Sequence, residues 1–432
     1  MFSRLLKADL VTRRLVTVLM FFCMDFLSLL ANAQSIDSSE LFSKLHDSVF
    51  QIRIIDIASD QKSSTGTGFV VDRNGTVATN YHVIANYIER PEKFRIEYET
   101  DSGKQGLLAL VDVDVVNDLA LLAGTALASE PFVLAENMPV KGQPIYSMGY
   151  PLDLGITVIA GTYNGIPAAS IDRVHFSGSL NSGMSGGPSM NADGHVVGSN
   201  VATAGNQVSF LVPVTALKSL LAHYYTNKAV TDFDQRMTEQ LTAQQSLLIN
   251  SVLAQQWLTS PIGEATAIGE IPPFIKCWGY TDDNKKNLFD SVLKRCETEQ
   301  DIYLSHDFRT GKLELEFFWL ESTELDRWRF SREYKKIFSS FMPGNRATGD
   351  DVGNFSCQQK LISNSDNKAA SKVAFCTRAY KHFDGLYDVL FVQGSLANST
   401  KAFISHFTLS GVGMAEATKF MRQFMKVAQW DQ

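Results

Sequence analysis

The stretch Asn181-Ser182-Gly183-Met184-Ser185-Gly186-Gly187-Pro188 decides how this chain is read. Its serine stands among three glycines and ahead of a proline. A serine hydroxyl is a weak nucleophile at its own pKa, so a base must take its proton. The electron pair pushed onto an attacked carbonyl also needs hydrogen-bond donors, and backbone N–H groups serve well. Gly183 permits the tight backbone that aims such groups inward. Gly186 and Gly187 leave room for another chain to approach Ser185. Working outward from Ser185, the sequence must therefore supply a base and a carboxylate to orient it.

Two upstream segments supply them. Gly66-Thr67-Gly68-Phe69-Val70-Val71, followed by Thr79-Asn80-Tyr81-His82-Val83-Ile84, offers His82. Histidine suits proton transfer because its pKa lies near neutrality. Asn117-Asp118-Leu119-Ala120-Leu121-Leu122 offers Asp118, a carboxylate able to hold the imidazole tautomer and stabilise the imidazolium. Taken singly, each reads blandly: His82 as structural, Asp118 as a capping or exposed aspartate, Ser185 as a turn residue. Together, in the order His, Asp, Ser, they point to acyl transfer. His46, His175, His195 and His223 read as surface or core residues.

The three segments resemble those of trypsin-like serine proteases, in particular the HtrA (Deg) branch. That branch shows Gly-Ser-Gly-Phe, Thr-Asn-x-His, Asp-Leu-Ala-Leu-Leu and Asn-x-Gly-x-Ser-Gly-Gly-Pro, with Thr67 here replacing the usual serine. The likeness extends to Gly149-Tyr150-Pro151 and Phe210-Leu211-Val212-Pro213 and covers residues 38–225, roughly half the chain. It implies an all-β, chymotrypsin-like pair of six-stranded β-barrels with the site between them. The first would carry His82 and Asp118, the second Ser185. It also implies an oxyanion hole from the N–H groups of Gly183 and Ser185. Residues Val208, Ser209, Phe210 and Leu211 are expected to form an edge strand that pairs with the substrate backbone. No metal or cofactor is implied.

The chain departs from the pattern in three places. The PDZ modules that commonly follow the protease are not recognisable. Met184 precedes the nucleophile where zymogen-activated enzymes carry an aspartate that pairs with a new N-terminus. Ser179, expected to line the pocket for the residue before the scissile bond, stands where enzymes specific for basic residues carry an acid. A small or medium apolar residue is the expectation at that subsite.

Many short strand-like runs with Gly, Asn and Asp turns, from Val49–Ile57 to Val208–Val212, agree with a barrel or sandwich. A short helix is expected over 36–50 and another over Thr215–Tyr225, closing a protease domain at 34–228. Residues 229–267 read as a helical linker, with self-association as the alternative. Residues 268–432 read as an α+β domain. Cys277 and Cys296 lie 19 positions apart, as do Cys357 and Cys376. Each interval contains Asp-Asn-Lys, and each is followed by strand runs (299–308 with 312–320, and 386–396 with 401–409) and a helical stretch (324–341 and 414–428). A tandem Cys–Cys–β–β–α duplication is the reading, chance similarity its rival. Arg309-Thr310-Gly311-Lys312 reads as the hairpin turn of the first unit. Two disulfides, Cys277–Cys296 and Cys357–Cys376, are favoured over zinc, because no short Cys-x-x-Cys spacing occurs; other pairings remain open. Phe317, Phe318, Trp319 and Trp328 read as core.

Residues 1–33 have the make-up of a signal peptide. A basic start (Arg4, Lys7, Arg13, Arg14) precedes an apolar run and Ala31-Asn32-Ala33, with an uncleaved anchor as the alternative. Cleavage would remove Cys23 and leave four of the five cysteines, an even set suited to an oxidising compartment. A periplasmic or secreted location is expected, with no membrane span after cleavage. The net charge of −7 argues against a nucleic-acid partner. Protein or peptide substrates are expected instead, with homo-oligomer or partner contacts through the linker helix or C-terminal domain. The functional expectation is a serine endopeptidase. Its alternative is a latent or inactive protease fold that recruits a partner through residues 268–432.

Overall fold

The structure is a computed structural model that describes residues 38–124, 130–205, 207–271, 275–282, 288–362, 370–396 and 400–430, with residues 202–204 described by backbone alone. The expected signal peptide, Cys23 and both Asp-Asn-Lys repeats lie outside the described residues. Helix α1 spans Ser38–Leu45. Contacts divide the chain at Lys44, and the remainder, Leu45–Gln432, is one compact unit.

Six strands close the first barrel: β1 (Val49–Asp56), β2 (Gln61–Val70), β3 (Thr76–Thr79), β4 (Phe94–Glu99), β5 (Gln105–Asp114) and β6 (Leu119–Ala123), in the order β1-β2-β3-β6-β5-β4. Alternation drives the closure. In β4, Phe94, Ile96 and Tyr98 point inward, whereas Arg95, Glu97 and Glu99 point outward. Arg53 on the neighbouring β1 meets Glu97 at 3.0 Å and also pairs with Glu99. Helix α2 (Tyr81–Glu89) leaves β3 and adds Tyr81, Val83 and Ile84 to the barrel's core.

The second set is β7 (Pro144–Gly149), β8 (Thr157–Thr162), β9 (Val174–Phe176), β10 (Pro188–Met190), β11 (Val196–Gly205) and β12 (Val208–Pro213), in the order β8-β7-β10-β11-β12-β9. The sheet curls until its ends meet: the Ser177 N–H donates to Thr162 O (3.2 Å) and the Asn164 N–H to His175 O (2.9 Å). The fold is thus the expected double β-barrel. Helix α3 (Val214–Asn227) follows β12 directly.

Helix α4 (Phe233–Ala254) is not a free spacer. Its first half places Met237 and Leu241 in the first barrel's core, and its second half places Leu248, Ile249 and Val252 in the core of the C-terminal domain. The fully buried Asp112 carboxylate joins β5 to both helices, meeting His223 Nδ1 of α3 at 2.6 Å and Arg236 Nε of α4 at 3.2 Å. A carboxylate taken out of water demands such partners.

The C-terminal domain begins with the hairpin β13 (Thr259–Ile262) and β14 (Ala265–Ile268). Then come β15 (Ile275–Asp282), β16 (Asp290–Thr298), β17 (Ile302–Tyr303), β18 (Arg309–Thr310), β19 (Leu313–Glu321) and helix α5 (Arg327–Phe338). Strands β20 (Ser356–Ile362), β21 (Ser371–Ala379), β22 (Tyr387–Ser395) and β23 (Lys401–Val412) and helix α6 (Met414–Val427) complete it. The Cys-bearing units share a seven-stranded antiparallel sheet, β15-β16-β19-β23-β22-β21-β20. Its edge strands are β15 and β20. Each is stapled to its neighbour by a disulfide, Cys277–Cys296 and Cys357–Cys376, between directly opposed residues. Phe317, Phe391 and Phe407 face α6 and α4 on one side of the sheet; Leu320, Leu390 and Ile404 face α5 on the other.

Three expectations about this half need correction. The run 299–308 is not a strand of the main sheet. Phe308 turns inward onto Tyr380 and Phe383 (ring centroids 5.0 and 6.2 Å), so the chain makes a small β17–β18 hairpin that reverses at 304–308. The hairpin turn is therefore not at Arg309–Lys312, where Gly311 hydrogen-bonds to β23 instead. The first unit thus has one sheet strand after its cysteines where the second has two. Trp328 is 74% exposed, because it sits outside the packed face of α5, while Phe317 and Trp319 are buried.

Candidate active site between the barrels

His82 occupies the second position of α2, where the N–H groups of a helix lack intrahelical partners. Asp118 satisfies one of them: its Oδ1 accepts the His82 N–H at 2.9 Å. Its Oδ2 lies 2.7 Å from His82 Nδ1. One carboxylate therefore holds both the backbone and the ring of the histidine. Asp118 is buried and has a φ of +63°, a left-handed conformation that aspartate tolerates better than most residues. Asn80 anchors it, donating from Nδ2 to Asp118 O at 2.7 Å. Burial disfavours the His82 imidazolium, but the charge and hydrogen bond of Asp118 outweigh it. The ring pKa therefore lies above its ordinary value, even though Arg309 acts against it.

The Ser185 loop is pinned by its carbonyls. Leu152 N–H donates to Ser182 O (3.0 Å), and Thr67 Oγ1 donates to Gly183 O (2.7 Å). Met184 O accepts from Gly187 N–H and from Asn200 Nδ2, both at 3.1 Å. A trans peptide directs its N–H opposite to its carbonyl. With Ser182 O and Met184 O turned toward the protein, the N–H groups of Gly183 and Ser185 turn the other way. Among the described residues neither donates to a protein acceptor. Gly183 is obligatory here: at φ +93°, a Cβ would lie 2.2 Å from Tyr150 O. Gly186, at φ +86°, would put a Cβ 2.8 Å from Asn80 N, which shows how closely the serine loop abuts the turn leading to His82. Ser185 O also accepts from Thr67 N–H at 2.7 Å, tying the loop to the first barrel. The Ser185 hydroxyl donates to Val201 O at 3.3 Å. Met184 is buried in the second barrel's core.

The substrate-edge expectation needs correction. Strand β12 is interior to its sheet: Ser209, Phe210 and Leu211 pair with β11 on one side and β9 on the other. Leu211 is fully buried. So is Ser209, whose Oγ donates to Gly178 O at 2.7 Å. Only Val208 and Phe210 are accessible, and Phe210 lines the cleft. Strand β11 lies between β10 and β12 in the sheet order. Among the described residues its pairing with β10 stops at the Ser199–Pro188 pair, and just beyond it Val201 O lies beside Ser185. Ser179 is exposed on the segment next to Leu180.

A cleft of about 860 Å³ opens beside His82 and Asp118, and half of its lining comes from the C-terminal domain. Tyr303 of β17 sets its ring edge-on to His82, with centroids 6.1 Å apart. Arg309 lies over Tyr303 at 5.2 Å. Tyr81 donates its hydroxyl to Leu304 O at 3.0 Å. Ile302, Leu304 and Phe308 belong to the same core as Tyr81 and Ile84, so the hairpin is built into the barrel's surface. Sequence reasoning missed this wall. No motif marks it, because 302–310 meets His82 only through packing more than 200 residues away in sequence.

Comparison with known proteins finds trypsin-like relatives. The sequence model of the trypsin-like peptidase domain matches residues 66–198. Serine protease HTR4 of Rattus norvegicus is 30% identical over 174 residues, 38% of this chain and 34% of that protein. Serine protease HTRA1B of Danio rerio is 30% identical over 179 residues, covering 38% and 36%. The chain thus spans about a third of the length of these curated relatives. The solved structure of Deg5 aligns over 45% of this chain and 96% of its own, with 27% identity and a TM-score of 0.39. Residues 66–198, which carry His82, Asp118 and Ser185, thus match the trypsin-like peptidase domain, and this part of the chain is similar to HtrA-type serine proteases.

Proposed function

We propose that the protein is a serine endopeptidase that cleaves protein or peptide substrates through an acyl-enzyme. Ser185 Oγ attacks the scissile carbonyl. His82 takes the hydroxyl proton and returns it to the leaving amine, while Asp118 holds the ring and stabilises the imidazolium. The N–H groups of Gly183 and Ser185 receive the oxyanion. The substrate backbone lies beside β11 at Val201, past the end of its pairing with β10. The observation that carries the reading is the double grip of Asp118 on His82, beside two N–H groups left free by pinned carbonyls. An exported setting fits the two disulfides of the C-terminal domain. Among the described residues no helix is long and apolar enough to cross a membrane.

One observation favours the latent alternative: the Ser185 hydroxyl is engaged by Val201 O. Releasing that hydrogen bond costs about 1 kcal/mol, which a productive rotamer can recover by bonding to the imidazole. Labelling by a fluorophosphonate probe, with Ser185→Ala as control, separates the two. Labelling that disappears in the control supports the peptidase. A folded parent that takes no label would leave the latent reading standing.

A further inference from the structure

The charges on the C-terminal wall of the cleft compensate one another. Arg309 pairs with Asp301 at 2.9 Å, and Lys312 with Glu297 at 2.7 Å. Glu299 pairs with Lys276. On the protease side Asp118 is committed to His82. The remaining cation of the lining is Arg173, which immediately precedes β9 and shares the cleft with Phe210 and His82. Its Nη1 donates to Asp172 O at 3.0 Å, and among the described residues it forms no salt bridge. Burial pushes its guanidinium below the ordinary value, with the charges of Asp118, Asp114 and Asp172 acting the other way. Arginine does not give up its proton in proteins. A half-buried cation that feels nearby carboxylates but has none in ion-pair contact can still accept one. Its planar fork is matched to a carboxylate.

We infer that Arg173 is a specificity-determining residue that receives a carboxylate side chain of the substrate, an Asp or Glu lying in the cleft walled by the C-terminal domain. The inference rests on the peptidase reading for its substrate class, and its geometry supplies the rest. A chain that runs beside β11 from Ser185 enters the space between Phe210, Arg173 and the 302–310 hairpin. The hairpin is part of the barrel's core, so the cleft admits an extended segment with its side chains spread between two walls. Asp118 and Arg173 divide the electrostatic work: the first faces the imidazole, the second the incoming acid.

The test uses binding, so that it does not depend on turnover. Ser185→Ala protein of the full mature chain is titrated with fluorescein-labelled hexapeptide pools in which one position is fixed as Asp or as Asn. The expected result is a roughly tenfold tighter binding of the Asp pool at one position, the ordinary scale of one charge-assisted pair. Adding Arg173→Gln should abolish that difference. Adding Arg173→Lys should keep part of it, and matching melting curves would show that both variants fold. Equal affinity of Asp and Asn pools at every position, binding of no pool, or a preference that survives Arg173→Gln overturns the inference. Fluorophosphonate labelling of the parent is run alongside. An Asp preference in an unlabelled protein would sink the peptidase reading and keep the subsite, whereas labelling without the preference would do the reverse.

Discussion

Asn200 is the residue whose removal should separate folding from catalysis most clearly. Its amide is fully buried. It donates to Met148 O and Met184 O, each at 3.1 Å, and accepts from Ser189 Oγ at 2.7 Å. Asn200→Ala deletes three hydrogen bonds. Ser189 keeps a contact with Ser147, and Met184 O keeps Gly187 N–H. The stability loss should therefore be about 2–3 kcal/mol rather than the larger cost of three orphaned groups. The catalytic consequence runs through Met184 O, one of whose two restraints is gone. That carbonyl and the Ser185 N–H belong to one peptide plane, so a looser carbonyl means a looser donor. Complete loss of an oxyanion donor costs about 10²–10³ in kcat. Partial release should cost about tenfold, with KM nearly unchanged because the donor acts on charge that develops after binding. Melting curves and steady-state kinetics on one peptide would read both quantities. A destabilised Asn200→Ala protein with unaltered kcat would refute the argument that the amide aims the oxyanion donor.

The raised pKa of His82 has a testable sign. Its imidazolium is favoured, whereas catalysis needs the neutral ring, so kcat/KM should fall as pH drops through a value above that of free histidine. Arg309→Gln removes a charge that opposes the imidazolium and should move this limb to higher pH; a shift to lower pH would contradict the assignment. Truncation after residue 267 should yield an insoluble or molten protease half, because Ile302, Leu304, Phe308 and Phe383 leave the first barrel's core. At about 2 kcal/mol each, these four side chains match the whole stability of an ordinary domain. A soluble, cooperatively melting 34–267 fragment would show that the packing is dispensable. Cys277→Ala with Cys296→Ala removes a cross-link over 19 positions, worth about 3 kcal/mol on loop-entropy grounds. Reductant should then lower the Tm of the parent more than that of the double variant, and equal lowering would argue against it.

The peptidase domain was legible in the sequence because its determinants are local. The Thr79–His82 turn, the Asp118 segment and the Gly183–Gly187 loop each carry their backbone requirements within a few residues. Gly183 at φ +93° and the helix start at Tyr81 illustrate this. Burial in β4 follows the alternation of its apolar and charged residues, whereas β19 is covered on both faces. The sequence favoured Cys277–Cys296 and Cys357–Cys376 without excluding other pairings, and the sheet places each of these pairs directly opposite.

Tertiary structure decided the rest, for one physical reason: which groups remain unpaired depends on neighbours distant in sequence. The sequence reads Val208–Leu211 as a substrate edge, and only the arrival of β9 on its far side removes that reading. Nothing in Phe233–Ala254 distinguishes a spacer from a beam until both cores close over its two halves. Tyr303 comes beside His82 only once the C-terminal sheet has packed on the barrel. The chemistry of the site was written in short segments, but the shape and charge of its cleft arise from long-range packing.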